Sequence, residues 1–76
     1  MAKSSDKSFL QALGDNVRKH RLKNDMSQSQ LAYEISTTLR QIQRIEAGTA
    51  NASVLYYYKI AQVLEIDFIT LMKVKA

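Results

Sequence analysis

Seventy-six residues with 46% apolar, 8% aromatic and 24% charged side chains make one small folded domain, and exclude a disordered chain or a second hydrophobic core. The absence of cysteine excludes a disulfide framework, a thiolate nucleophile and a Cys-based zinc site. Eleven Lys plus Arg against seven Asp plus Glu leave +4 at pH 7, a charge that suits a polyanionic partner but also ordinary solubilising surface.

Residues 1–8, MAKSSDKS, read as a flexible N-terminal arm and residues 9–76 as a single domain. Periodicity predicts five short helices and no strand in that domain; Pro is absent, and Gly occurs only at positions 14 and 48. The first helix is expected from about Ser8 to Lys23, with Leu10, Leu13, Val17 and Arg21 on one face. Gly14 lies on that face, where Gly costs a helix interior about 1 kcal/mol relative to Ala. Its presence predicts the close approach of another helix. Asn24 and Asp25 both tolerate the left-handed conformation and end the helix.

Ser27-Gln28-Ser29-Gln30 has the pattern of a capping box, with Met26 and Leu31 placed to form a hydrophobic staple across it. The second helix turns Leu31, Ala32 and Ile35 inward and Tyr33 and Glu34 outward. Thr38-Leu39-Arg40-Gln41 repeats the box and starts the third helix, which Gly48 closes from the C′ position. Only Ser36 and Thr37 separate the two helices, so the turn is too tight for an antiparallel hairpin and fits a helix-turn-helix. Ser53 can cap a fourth helix running to about Leu64, with Val54, Tyr57, Ile60, Ala61 and Leu64 towards the core. Asp67 can cap a fifth from Phe68 to about Lys73.

At about 100° per residue, the third helix divides into two sides. Ile42, Ile45 and Glu46 share one, and Arg40, Gln43, Arg44 and Ala47 the other. Arg40 and Arg44 repel at i,i+4 spacing, and Arg40 also opposes the helix dipole. A DNA major groove accounts for that penalty: it admits one helix, Arg donates two bonds to guanine, and Gln pairs with adenine. Gln28 and Ser29 stand at the N-terminus of the second helix, where unpaired N–H groups favour a phosphate, and capping does not require Gln28. RKHRLK (18–23) concentrates more positive charge, and Lys19, Lys23 and Tyr56 are further candidates for backbone contact. Arg21 and Glu46 each occupy the apolar stripe of their own helix. A lone buried charge would cost several kcal/mol, so they are expected to pair.

No catalytic constellation emerges. The chain has one His, no HExxH, no Gly-rich phosphate loop and no metal-spaced ligand set, so it is read as no enzyme, with no cofactor and no metal. His20 reads as a surface or minor phosphate-facing residue. Tyr56, Tyr57 and Tyr58 cannot all be buried on one helix; Tyr57 suits the core and its neighbours a partner surface. No apolar run approaches the roughly 18–20 residues of a membrane span, and the N-terminus has no signal-type apolar region, so a cytoplasmic protein without membrane contact is expected. Phe68, Leu71, Met72 and Val74, with Ile66 and Ile69, carry more apolar surface than the last helix needs. They suit a dimer interface, although covering a small core is the plainer use.

Gly14-x-x-Val17-x-x-x-Arg21, Met26-Ser27-Gln28-x-x-Leu31-Ala32, Thr38-x-x-x-Ile42-x-x-x-Glu46-x-Gly48 and Ile60-Ala61-x-x-Leu64-x-Ile66-x-x-x-x-Leu71 together resemble the Cro and phage-repressor type helix-turn-helix, the XRE family. The likeness covers residues 10–72 and extends to the small stand-alone controller proteins of restriction-modification systems. It implies an all-α, five-helix lambda-repressor-like DNA-binding domain, with helices 2 and 3 as the helix-turn-helix. It also implies a homodimer regulating transcription from operator DNA. The family's base-contacting positions fall on Leu39, Arg40, Gln43 and Arg44, its phosphate-contacting Gln on Gln28, a backbone position on Thr38, and its internal ion pair on Arg21 and Glu46. Ser36 and Asp25 stand where the family commonly has Gly, Thr37 where it has an apolar residue, and Asn51-Ala52 where it often has Pro.

The leading expectation is therefore a sequence-specific transcriptional regulator, a repressor of Cro type, bound as a homodimer to a palindromic double-stranded operator. The alternative is an antitoxin-type module that holds a toxin through the apolar tail and binds DNA only to regulate itself. A nonspecific architectural protein is a third reading, against which the Gln-containing face argues.

Overall fold

The computed structural model describes residues 3–74, and among these only helices and their connections occur. They are α1 (Lys3–Lys23), α2 (Gln28–Glu34), α3 (Leu39–Ala47), α4 (Val54–Val63) and α5 (Phe68–Met72). The expected all-α, five-helix arrangement with its helix-turn-helix is present. α1 begins earlier than Ser8: residues 3–7, expected as part of an arm, continue the helix, since no Pro or Gly interrupts them. Residues 1 and 2 of the expected arm lie outside the described residues. No helix of the described residues is long and apolar enough to cross a membrane.

Local signals account for the starts of α2 and α3. Ser27 Oγ accepts from the Gln30 N–H at 3.0 Å and Thr38 Oγ1 from the Gln41 N–H at 3.1 Å, the forward half of each expected capping box. Ser53 and Asp67 also hold N-cap positions, but neither side chain caps its helix. At Ser53 the Tyr56 N–H is already taken by the Ser53 carbonyl at 3.1 Å.

The ends of α1 to α4 share one device, a residue in the left-handed region: Asp25 (φ 54°), Ser36 (60°), Gly48 (76°) and Glu65 (57°). After α2, the Thr37 N–H returns to the Ala32 carbonyl at 2.8 Å and the Ser36 N–H to the Tyr33 carbonyl at 3.1 Å. This Schellman pairing turns the chain within two residues and satisfies carbonyls that the helix leaves open. It explains how Ser36 and Thr37, the two residues between the caps Ile35 and Thr38, suffice to join α2 to α3. A left-handed L-residue costs roughly 1–2 kcal/mol, part of which glycine recovers. Glu65→Gly, at an exposed position, is expected to raise stability by about 0.5–1 kcal/mol, seen as an increase of a few degrees in the thermal midpoint. A lower midpoint would mean that the Glu65 side chain makes a stabilising contact.

Leu13 and Val17 of α1, Leu31 of α2, Ile42 and Ile45 of α3, Ile60 and Leu64 near α4, and Leu71 of α5 meet in one core. α3 packs on α1 and α2, α5 on α4 and α1, and α2 on α4. At Gly14, α1 lies directly against the backbone of α3: a Cβ there would stand 2.7 Å from the Glu46 carbonyl oxygen and closer still to that of Ile45. Asn16 fastens the far end, its Nδ2 donating to the Leu71 carbonyl at 2.7 Å and the Thr70 carbonyl at 3.3 Å.

One core expectation and one interface expectation are corrected. Val54 is 61% exposed, because the apolar stripe of α4 runs past the core at its first residue and packs only from Tyr57 onward. Leu71, expected at a dimer interface, is wholly buried within the domain, since a 76-residue chain uses its last helix to close its own core. Phe68, Met72 and Val74 are half-buried against the same core. The apolar side chains that α4 and α5 leave exposed are instead Val54, Leu55, Tyr58 and Ile69, the last at 74%.

Candidate nucleic-acid interface

α3 is held by one side and bare on the other. Ile42, Ile45 and Glu46 are buried, whereas Leu39, Arg40, Gln43, Arg44 and Ala47 are exposed. Leu39 at 41% exposure lies in the first turn with Arg40, so the bare side combines an apolar group, two guanidinium groups and a carboxamide. Thr38 is exposed at its start, with its hydroxyl engaged in the cap. At its end the Arg44 carbonyl accepts from the Thr49 N–H at 3.0 Å and hydroxyl at 3.3 Å, and the Arg44 side chain is exposed.

Glu46 is the fixed point behind this surface. Its carboxylate accepts from Arg21 Nε at 2.7 Å and Nη2 at 3.0 Å, and from Gln28 Nε2 at 3.0 Å. Arg21 spends its remaining terminal nitrogen on the Met26 carbonyl at 2.7 Å. One buried cluster thus links α1, the α1–α2 turn, α2 and α3. No buried side-chain nitrogen or oxygen among the described residues lacks a partner, so the pair meets the condition under which a buried ion pair is tolerated.

The bond to Gln28 was not legible in the sequence, where Gln28 stands as a free residue at the start of α2. One of its two amide hydrogens is committed to Glu46; the other remains available at the half-buried edge of the site. Ser29 beside it is exposed. Gln28, Gln43 and Ala47 line an open cleft of about 360 Å³ together with Arg18, Arg21 and Glu46.

The other expected backbone contacts do not gather there. Lys19 lines a different cleft, with Asp15 and Asn16 of α1 and Lys73 and Val74 at the end of α5. One residue along α1 is a rotation of about 100°, which turns Lys19 away from α3 and brings Arg18 to the cleft. Tyr56 is half-buried and lines a third recess, with Ile35, Ser36 and Lys59 beside the α2–α3 turn. Lys23 is exposed in the last turn of α1. Partial burial, with Lys23 and Lys19 nearby, lowers the His20 pKa below its ordinary value.

The model of the family described as "Helix-turn-helix" matches residues 17–71, most of the chain. Among solved structures, the restriction-modification controller protein C.AhdI from Aeromonas hydrophila is similar at 26% identity and a TM-score of 0.82, covering 86% of this chain and 94% of its own. The hypothetical transcription factor NHTF from Neisseria shares the fold at 23% identity and a TM-score of 0.81, covering 90% of this chain and 79% of its own. Comparison with curated proteins finds no match.

Proposed function

The chain belongs to the helix-turn-helix family of DNA-binding transcription regulators, and we propose that it acts as a sequence-specific homodimer on a palindromic double-stranded operator. The observation that carries this reading is the bare face of α3, with Leu39, Arg40, Gln43 and Arg44 outward while Ile42, Ile45 and Glu46 anchor the opposite side. Two such helices enter successive major grooves, roughly 34–36 Å apart. Arg40 and Arg44 read guanine, Gln43 reads adenine, and Leu39 packs on a thymine methyl group. Gln28, Ser29 and Thr38 hold the sugar-phosphate backbone and set the register. The likeness to a restriction-modification controller protein supports transcriptional control as the setting.

Selection of bound duplexes from random DNA tests the proposal. A recovered palindrome is the expected result; equal retention of all sequences would leave only an architectural role. On the recovered duplex, Arg44→Ala is expected to lose about 1–3 kcal/mol of discrimination at one guanine per half-site, whereas Gln28→Ala weakens all duplexes alike. Competition binding against single-base variants measures both, and an unchanged base preference in Arg44→Ala would remove the recognition assignment.

The exposed Val54, Leu55, Tyr58 and Ile69 supply the dimer contact, in place of the buried Leu71. Light scattering on the purified chain is expected to return twice the 8.7 kDa monomer mass. A stable monomer with this surface open would favour the antitoxin-type reading, with a toxin as the missing partner.

A further inference from the structure

We propose that Arg18 and Gln28 hold one phosphodiester of the DNA backbone between them, in the cleft that α1, α2 and α3 form beside the recognition face. This rests on the DNA-binding reading above and adds to it Arg18, which the sequence marks only as one charge of the RKHRLK run. Gly14, Arg18 and Arg21 fall four and three residues apart, on the stripe of α1 that meets α3. The backbone of Ile45 and Glu46 covers Gly14, and the Glu46 carboxylate takes Arg21. Arg18 lies on the same stripe but is exposed, and among the described residues the only ion pair is Arg21 with Glu46. Arg21 and Glu46 neutralise each other, Gln28 and Gln43 are uncharged, and Arg18 therefore leaves the cleft with a net positive charge.

That charge is placed for a nucleic acid strand. Gln43 borders the cleft and also belongs to the exposed side of α3. With α3 in the major groove, a sugar-phosphate strand must pass along its flank, where Arg18 and Gln28 stand. Gln28 offers the N–H not used by Glu46, and Arg18 offers a guanidinium that bonds two phosphate oxygens at once. The buried cluster of Arg21, Glu46 and Gln28 then also positions the phosphate-binding amide.

Fluorescence anisotropy on the duplex recovered by selection, over a series of salt concentrations, tests this. Arg18→Ala is expected to bind more weakly on every sequence, with its log K against log salt slope flatter by about 0.9 per bound protomer. Between 50 and 200 mM salt the wild type should thus lose about 3.5-fold more affinity per protomer than the variant. Arg18→Lys should keep most of the slope and lose part of the affinity. Lys73→Ala makes the same charge change just after α5 and should leave the slope as in the wild type; an equal flattening there would reduce Arg18 to a share of the net charge and overturn the contact. A wild-type slope in Arg18→Ala, with selective binding intact, overturns this inference alone. A wild-type chain that binds no duplex overturns it together with the proposed function. Saturable binding of inorganic phosphate at constant ionic strength, lost in Arg18→Ala but without effect on duplex affinity, would assign the cleft to a small anion instead.

Discussion

Glu46→Ala is expected to lower the folding free energy by about 3–5 kcal/mol, the penalty for leaving the charge of Arg21 buried without its partner. The side chains of Arg21 and Glu46 are only 9% and 4% exposed, so water cannot replace the missing carboxylate without opening the contact between α1 and α3. The substitution also strands the Nε2 of Gln28, which bonds Glu46 at 3.0 Å. A domain of this size has a total stability of roughly 4–11 kcal/mol, so the loss removes a large share of it. Urea denaturation measures the loss. Arg21→Ala should be of similar size, and the Arg21→Met, Glu46→Leu pair should recover much of it, because an apolar pair carries no desolvation penalty. A loss below about 1 kcal/mol in both single variants would mean that the ion pair is not what joins these helices. In DNA binding the apolar pair should still fall short of the wild type, since it leaves Gln28 without the acceptor that orients it.

Gly14→Ala is expected to destabilise by about 2–4 kcal/mol, against the gain of about 1 kcal/mol that Ala normally brings to a helix interior. The added methyl group would meet the carbonyl oxygens of Ile45 and Glu46, two backbone atoms that cannot rotate away as a side chain could. α3 would have to shift, and with it the face carrying Arg40, Gln43 and Arg44. Thermal unfolding with and without the selected duplex measures both consequences: a lower midpoint and a smaller stabilisation by DNA. A rise in midpoint would show that α1 and α3 have room between them. The contrast with Glu65→Gly is informative, since the same two residue types of change, towards and away from glycine, are expected to help or harm according to backbone geometry alone.

Particular residues show how far the amino-acid pattern reaches. Ser27 and Thr38 start their helices as their spacing predicts, and Asp25 and Gly48 end theirs in the left-handed region, because capping depends on a few neighbouring atoms. The stripe positions of Arg21 and Glu46 are enough to pair them, since a lone buried charge has no other remedy within this chain. The exposed side of α3 is readable for the same reason: a helix anchored through Ile42 and Ile45 has to present Arg40, Gln43 and Arg44 on the other side. Where the pattern misleads, the deciding contacts are distant in the chain. Val54 continues the stripe of α4 but lies beyond the core, and Leu71 looks available to a partner until the other helices enclose it.

What the sequence by itself determined, then, is the periodic and local part: five helices, most of their capping positions, and an exposed side of α3 with an unmatched set of donors. Only the tertiary structure decided which of two adjacent cations on α1 joins that face. Lys19 and Arg18 are equivalent in charge and propensity, but the position of Gly14 under Ile45 and Glu46 sets the rotation of α1 against α3. That rotation turns Arg18 into the cleft beside Gln28 and Gln43, and Lys19 towards α5. A rotation of about 100° between neighbouring residues is a property of every helix. Which residue it favours depends on where the other helix lies, and that is set by contacts more than 25 residues apart in the chain, such as Gly14 with Ile45 and Glu46.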